Sequence, residues 1–507
     1  MLAAAAAGVG VAHGSYSASS SDASGYISEA RLIASAHLAD DEPLAREVAW
    51  PNATWAFAPL GYRPGGEAGE LVPTYPAGLP LAMAPVRLLG GELAAYLVVP
   101  ILGAVAVFAT YGAGARLHSR RAGLAAALLL ATSPIVLFQV VQPMSDVAVT
   151  AWWTLALLFA LSPLPNGPLA AGATTGLAVL TRPNLLPFAA VVAFAVLNLP
   201  RGHHERRLRP DRLIAFVAGL VPAAGAQFLM QWRLYGSPLA SGYGTASELY
   251  TPGNIGPNAV AYAKRMLAGE TAALLLALTA VAVLAATRGR RVDAPPLKQP
   301  LVLATIAVAI VVGSYLPYGV FAEWSYLRFL LPAFPLLFVL IGALCTNALS
   351  RLPLPLRAAV FLGALAAAAS MNVDRARQEQ AFNMRRYESR YSLAGRYLAS
   401  ALPADTVVVT GQESGSARYY ATLPILRWDQ LDVDFDLALA ALRAIGRHPV
   451  LLVEDWELPQ LARKYPRSPY AQLDWRPRAE FGEETRVFLY DPDDRGSART
   501  WPADRVH

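Results

Sequence analysis

Long apolar runs broken by short clusters of charge dominate this chain. Runs of about 20 apolar residues, enough for a helix to cross a bilayer, recur near 93–115, 122–142, 146–162, 213–232, 271–287, 300–317, 326–349 and 354–372. Residues 1–13 are also apolar, and we read them as the remainder of a first span. The pattern stops near residue 372. From 373 to 507 the composition is that of an ordinary soluble domain, with strand-like runs at 406–410, 449–453 and 486–490. Helical patterns fall between these runs, at about 416–421, 435–446 and 457–464. Strands alternating with helices predict a small α/β domain.

Charge gives the spans a direction. Basic clusters at 116–121, 201–212, 288–298 and 351–357 predict cytoplasmic loops. The long loop 14–77 is acidic on balance and is predicted to lie outside. Two inside loops must be separated by an even number of spans. The stretch 168–199 is therefore predicted as two short helices, broken at Thr181-Arg182-Pro183-Asn184. One continuous helix would hold Arg182 at mid-bilayer, at a cost of about 3 kcal/mol on insertion scales. The same parity makes 79–90 a non-spanning segment. The expectation is a polytopic α-helical membrane protein of about eleven spans. A transmembrane domain over 1–372 includes the outer loop 14–77, and a soluble extracytoplasmic α/β domain covers 373–507. The N-terminus is placed in the cytoplasm, and the multi-pass chain in the inner (plasma) membrane.

Composition agrees. The 507 residues are 55% hydrophobic and 15% charged, with a mean hydropathy of +0.37, too little polar surface for a soluble protein of this length. The net charge of +6 sits in short interhelical loops and forms no basic face, which argues against a nucleic-acid partner. The one cysteine, Cys345, lies in a predicted span, so no intramolecular disulfide forms.

Several polar motifs collect at predicted outer helix ends. In Ser19-Ser-Ser-Asp22-Ala-Ser-Gly-Tyr26-Ile-Ser-Glu29, the residues Asp22, Tyr26 and Glu29 share one helical face. A carboxylate held there could take a proton from an acceptor, although an Asp at a helix start is also a favoured cap. Tyr75-Pro-Ala-Gly78 marks proline-stiffened chain entering an apolar region, a hint of a cavity. Ser145-Asp146 opens a span and reads evenly as a binding carboxylate or a cap. Arg182 suits a phosphate through its planar fork, with a snorkelling interfacial arginine as the ordinary alternative. Glu323, Trp324, Tyr326 and Arg328 fall together; an interfacial aromatic belt explains the rings but not Arg328. The turn Ser241-Gly242-Tyr243-Gly244 reads as a plain connection or as the wall of an acceptor groove. No phosphate-cradling Gly-rich loop, zinc-type Cys/His set or nucleophile elbow is present.

In order and predicted outer location, these motifs resemble the GT-C superfamily of polyprenyl-phosphate-dependent glycosyltransferases, particularly the bacterial protein O-mannosyltransferase and aminoarabinose-transferase type. The resemblance covers about residues 10–345. It implies inverting transfer of a sugar from a lipid phosphate to a glycan, lipid or protein acceptor. Asp22 would act as base or orient the acceptor. Arg182 and Arg328 would stabilise the leaving phosphate, and Asp146 and Tyr75 would line the donor site. Tyr26, Tyr243, Glu323 and Tyr326 are further candidate substrate-binding residues. Some relatives hold a divalent metal ion; here the only histidine of the first outer loop is His37. The alternatives are a transporter or lipid flippase, whose polar groups should lie at mid-bilayer, and a non-catalytic protein of envelope biogenesis.

Overall fold

A computed structural model describes residues 1–198, 210–287, 299–496 and 504–506. The basic clusters at 201–209 and 288–298 lie outside the described residues. Among those residues, four helices are long and apolar enough to cross a membrane: Glu92–Leu117, Pro210–Tyr235, Trp324–Leu349 and Leu354–Gln378. Two bent pairs raise the number to six if each is one span. The expected total of about eleven would need the shorter apolar helices counted as well, among them Leu2–His13, Ser145–Ala160 and Phe188–Asn198. The chain divides into two compact units.

The first unit comprises Met1–Gly14, Tyr96–Leu229 and Gly244–Phe382 and is helical. Helix Ser145–Ala160 packs against Val98–Leu117 and Gly167–Thr181. Its fully buried Trp153 lies on Phe188 with ring centroids 4.6 Å apart. The expected break is present. Helix Gly167–Thr181 ends at Arg182, a 3-10 turn covers Pro183–Leu185, and helix Phe188–Asn198 follows. Proline supplies the reason, because Pro183 disfavours helical backbone at the residue before it.

Two further breaks were not foreseen. Arg120–Thr132 and Pro134–Val140 meet at 58°, and Pro252–Gly269 and Thr271–Ala286 meet at 89°. Both fall inside or beside apolar runs, where hydropathy is blind to direction. Glu270, fully buried, joins them: Ser133 Oγ donates to its Oε1 at 2.6 Å, and the backbone N–H of Ile135 also bonds its carboxyl. Backbone released by a bend needs such partners where water is absent. Basic residues of the short loops serve a similar need. Arg116 donates to Leu158 O, Arg351 to Thr287 O and Arg357 to Ser350 O, each at or near the end of an apolar helix.

The second unit comprises Ser15–Ala95, Met230–Tyr243 and Asn383–His507. Strands β1 (Asp40–Asp41), β2 (Tyr62–Pro64) and β3 (Glu70–Pro73) form an antiparallel sheet in the order β1-β3-β2. The larger sheet contains β4 (Thr406–Thr410), β5 (Ile425–Arg427), β6 (His448–Glu454), β7 (Ala479–Phe481), β8 (Val487–Tyr490) and β9 (Asp504–Val506). Their order is β5-β4-β6-β8-β7-β9, parallel across β5-β4-β6 and antiparallel across β6-β8-β7. The three long runs of the sequence became β4, β6 and β8. The three-residue strands are too short to carry an alternating pattern. Both faces of the sheet are covered. Val407 and Val409 point to a core with Phe435, Leu439 and Leu442, and Val408 points to another with Ala394, Leu398 and Ala417. Leu44 and Phe57 of the first loop belong to the first of these cores.

At the carboxyl ends of β4 and β6, buried acids gather around one guanidinium. Arg390 Nε donates to Glu454 Oε1 at 3.0 Å, and Glu457 accepts from the backbone of Gln412 and Glu454 at 2.9 and 3.0 Å. Burial pushes Glu457 up to about 7 and Glu413 well above the ordinary carboxylate range.

Two expectations follow. Gly172 and Gly219 lie where helices Gly167–Thr181 and Pro210–Tyr235 cross, and a Cβ on either would collide with backbone of the other helix, at Phe216 and Leu169. Gly172→Val should therefore destabilise the protein by about 1–3 kcal/mol, read as a lowered thermal midpoint in detergent. Separately, a carboxyl raised from 4.5 to about 7 on folding keeps its proton in the folded state only. Its contribution to stability is greatest below pH 4.5 and is lost as pH rises to about 7. The unfolding midpoint should fall across that window in the native chain, and fall less in Glu457→Gln.

Candidate active site

The candidate residues assemble into two clusters, one in each unit. In the first unit, Asp146 is the second residue of helix Ser145–Ala160, where the helix dipole favours a negative charge. It is 1% exposed. Arg182, set free by the helix break, donates from Nη2 to Asp146 Oδ1 at 2.7 Å. Its other nitrogens reach Ser145 Oγ at 3.3 Å and Tyr315 Oη at 2.9 Å. Arg328 approaches Asp146 from the 3-10 helix Trp324–Ala333, with Nη1 3.8 Å from Oδ2. Two guanidinium groups thus share one buried carboxylate. Aromatic rings wall the cluster. Arg182 and Arg328 lie 5.5 and 5.4 Å from the Phe329 centroid, and Arg328 lies 5.2 Å from that of Tyr326. Glu323 starts this 3-10 helix but is exposed, and it joins none of the ion pairs in the cluster.

In the second unit, Asp22 lies in the first turn of helix Ser21–Ala34. The Tyr75 hydroxyl sits 2.6 Å from Ser21 Oγ and is hydrogen-bonded to Asp22. Burial and the Asp22 charge hold that phenol well above its ordinary range, so it stays protonated and can donate to the carboxylate. The Tyr75 ring lies 4.9 Å from Tyr26 and 5.7 Å from Tyr243. Tyr26 and Tyr75 are buried, while the Tyr243 ring is 39% exposed. Glu29, on the same helical face as Asp22, is buried, and no hydrogen bond reaches its Oε2. Desolvation by burial raises its proton affinity well above that of an ordinary carboxylate.

Tyr315 and Ser145 complete the arginine cluster and were not singled out as substrate-binding residues. Ser145 was read only as a cap. Tyr315 ends an apolar run, where a tyrosine reads as an ordinary belt residue; its partner Arg182 is 133 positions away in sequence.

A metal ion was the open cofactor question. Among the described residues, one set of donors converges within 4.8 Å: His448, Asp491 and Asp493. It does not fit a divalent cation. Arg478 lies 2.7 Å from Asp491 Oδ2, and Arg443 bonds Asp493 at 2.6 Å, so both carboxylates are already neutralised. His37 lines a cleft of about 600 Å³ with Asp40, Asp41 and Glu70, outside that set.

Comparison with known proteins follows the same line. Residues 82–224 match the family model for dolichyl-phosphate-mannose-protein mannosyltransferase. No curated protein matches. Among solved structures, ArnT from Cupriavidus metallidurans bound to undecaprenyl phosphate aligns over 96% of this chain and 97% of its own, at 14% identity and a TM-score of 0.58. The archaeal oligosaccharyltransferase AglB from Archaeoglobus fulgidus, in complex with an inhibitory peptide and a dolichol-phosphate, aligns over 94% of this chain and 70% of its own, at 14% identity and a TM-score of 0.51. The A. fulgidus oligosaccharyltransferase in complex with Zn and sulfate aligns over 97% and 73%, at 13% identity and 0.51. The resemblance drawn from the motifs is matched on both counts: the chain has the GT-C fold, and its segment 82–224 fits the mannosyltransferase family model.

Proposed function

We propose that this chain is a membrane glycosyltransferase that moves a sugar from a polyprenyl phosphate to an acceptor hydroxyl on the extracytoplasmic side, inverting the anomeric centre. The observation that carries this reading is the pair Arg182 and Arg328 on the single buried carboxylate of Asp146. A carboxylate between two guanidiniums holds their forks in place, side by side, in a geometry suited to an anion. A phosphodiester meets that need, because paired N–H donors match its oxygens. Fold likeness to proteins bound to undecaprenyl phosphate and dolichol-phosphate supports the same donor class.

The acceptor oxygen attacks the anomeric carbon. The bond from that carbon to the phosphate oxygen breaks, and the electron pair leaves with the phosphate. Pre-placed cations lower the barrier because they act where negative charge grows, and one well-placed donor is worth about 10²–10³ in rate. Arg182 and Arg328 take that role. Asp22 receives the acceptor proton, with Tyr75 and Ser21 fixing its orientation. Tyr26, Tyr75 and Tyr243 present aromatic faces beside Asp22, suited to an acceptor, and Tyr326 borders the donor side, with Glu323 exposed outside the arginine cluster. This reading also keeps the topology of about eleven spans, with a cytoplasmic N-terminus and an extracytoplasmic C-terminal domain.

Two measurements test it. Purified protein supplied with a panel of undecaprenyl-phosphate sugars should release undecaprenyl phosphate, and Asp22→Asn should slow turnover about 10²-fold or more. Wild-type turnover of none of the donors would sink the proposal, and unchanged turnover in Asp22→Asn would remove the base. Binding of undecaprenyl phosphate should weaken at least about tenfold in Arg182→Met, as expected for the loss of a paired charged contact. Arg182→Lys, which keeps charge but not the fork, should fall between the two.

A further inference from the structure

The soluble C-terminal domain has no part in the chemistry proposed above, yet one of its helices touches the Asp22 helix along its length. Helix Ser414–Ala421 begins where β4 ends and carries Ser414, Gly415, Arg418, Tyr419 and Tyr420. Tyr420 Oη accepts from the backbone N–H of Ala18, at 2.9 Å, just before helix Ser21–Ala34. Gly415 meets the first turn of that helix, at Ser24. A Cβ there would run into Ser24 Oγ and would sit 2.8 Å from Leu60 O. The Leu60 N–H in turn donates to Ser414 Oγ at 3.0 Å. At the far end, Arg31 donates to Tyr419 O at 2.8 Å and lies 4.3 Å over its ring. Arg418 closes the contact. It bonds Asp40 at 2.9 Å and the 2%-exposed Glu42 at 2.9 Å, both in the chain that follows the Asp22 helix.

The entry to the Asp22 helix gives this contact its meaning. Tyr16 and Ser20 both have positive φ, 47° and 49°, in the left-handed region that side chains disfavour. A strained entry persists only where its surroundings over-determine it. The Ala18–Tyr420 bond sits between the two strained residues, and Asp22 lies two residues beyond the second. Relaxation of either φ would swing the first turn of the helix, and Asp22 with it. A misplacement of about 1 Å at a reacting group can cost about 10²-fold in rate.

We propose that helix Ser414–Ala421 is a positioning element for Asp22, with Arg418 and Tyr420 as positioning residues, and that this is what the C-terminal domain contributes to the reaction. The inference rests on the reading that Asp22 acts on the acceptor.

The test uses the full-length protein in detergent. A nitroxide is attached at Asp22→Cys in a Cys345→Ser background, which removes the only native cysteine. Its spectrum should be that of a restrained label, and should sharpen when Arg418→Ala or Tyr420→Phe is added. Tyr420→Phe loses a single hydroxyl, so the domain stays folded and the result stays interpretable. Arg443→Gln breaks an ion pair with Asp493 elsewhere in the same domain and should leave the spectrum unchanged. In the native background, Arg418→Ala and Tyr420→Phe should lower kcat at least about fivefold with the KM for undecaprenyl-phosphate sugar within twofold. Arg418→Lys should recover part of the loss. An unchanged spectrum in both variants overturns the proposal, and so does wild-type kcat with a sharpened spectrum. If the wild type turns over no donor, the glycosyltransferase reading fails. The spectra then decide alone whether the C-terminal domain restrains this helix.

Discussion

A carboxylate that is 1% exposed cannot stay charged without a partner, and Asp146 has two. This constraint organises the first unit. Arg182 can reach Asp146 only because its own helix stops at the Thr181-Arg182-Pro183 break, and Arg328 only because a 3-10 helix precedes Phe334–Leu349. Losing that first break would carry Arg182 into apolar surroundings, where an unpaired charge costs several kcal/mol. The ion pairs and the helix breaks therefore depend on each other. In the proposed function, the two guanidinium forks that Asp146 holds are what receive the phosphate.

The second unit solves a different problem. Asp22 lies on a helix within a long loop, and a loop alone does not hold a side chain to the tolerance that the proposed proton transfer needs. The loop is held by a folded domain that comes hundreds of residues later. Leu44 and Phe57 enter the same core as Phe435 and Leu439, and Arg418 bonds Asp40 and Glu42. Fixing the backbone costs about 1–2 kcal/mol per residue, and these long-range contacts offset that cost for a segment with little regular structure of its own.

Hydropathy made the membrane-type helices legible, and charge parity located the break at Arg182. Continuous apolar runs made β4, β6 and β8 legible, since these strands are buried on both faces. The bends at Ser133 and Glu270 were not legible, because an apolar run carries no record of the direction in which it turns. Strands of two to four residues were missed, β1, β2 and β3 in the first loop and β5, β7 and β9 in the larger sheet, because so few residues make no run. The site divided in the same way. Asp146, Arg182 and Arg328 stood out because charge among apolar residues is conspicuous. Tyr315 did not, since its role depends on an arginine brought to it from far along the chain.

Composition and periodicity act over neighbouring residues, so the sequence alone determined the class of the chain, its apolar helices, the longer strands of its C-terminal sheet and the polar residues worth watching. Which of those residues meet was decided by tertiary structure. Folding paired Asp146 with both arginines, set Tyr75 against Asp22, left Glu323 exposed outside the cluster, and engaged the carboxylates beside His448 with arginines in place of a metal. The physical reason is range. Hydrophobic burial and backbone geometry are written locally, whereas a charge cluster depends on distances that exist only once the helices and strands have packed.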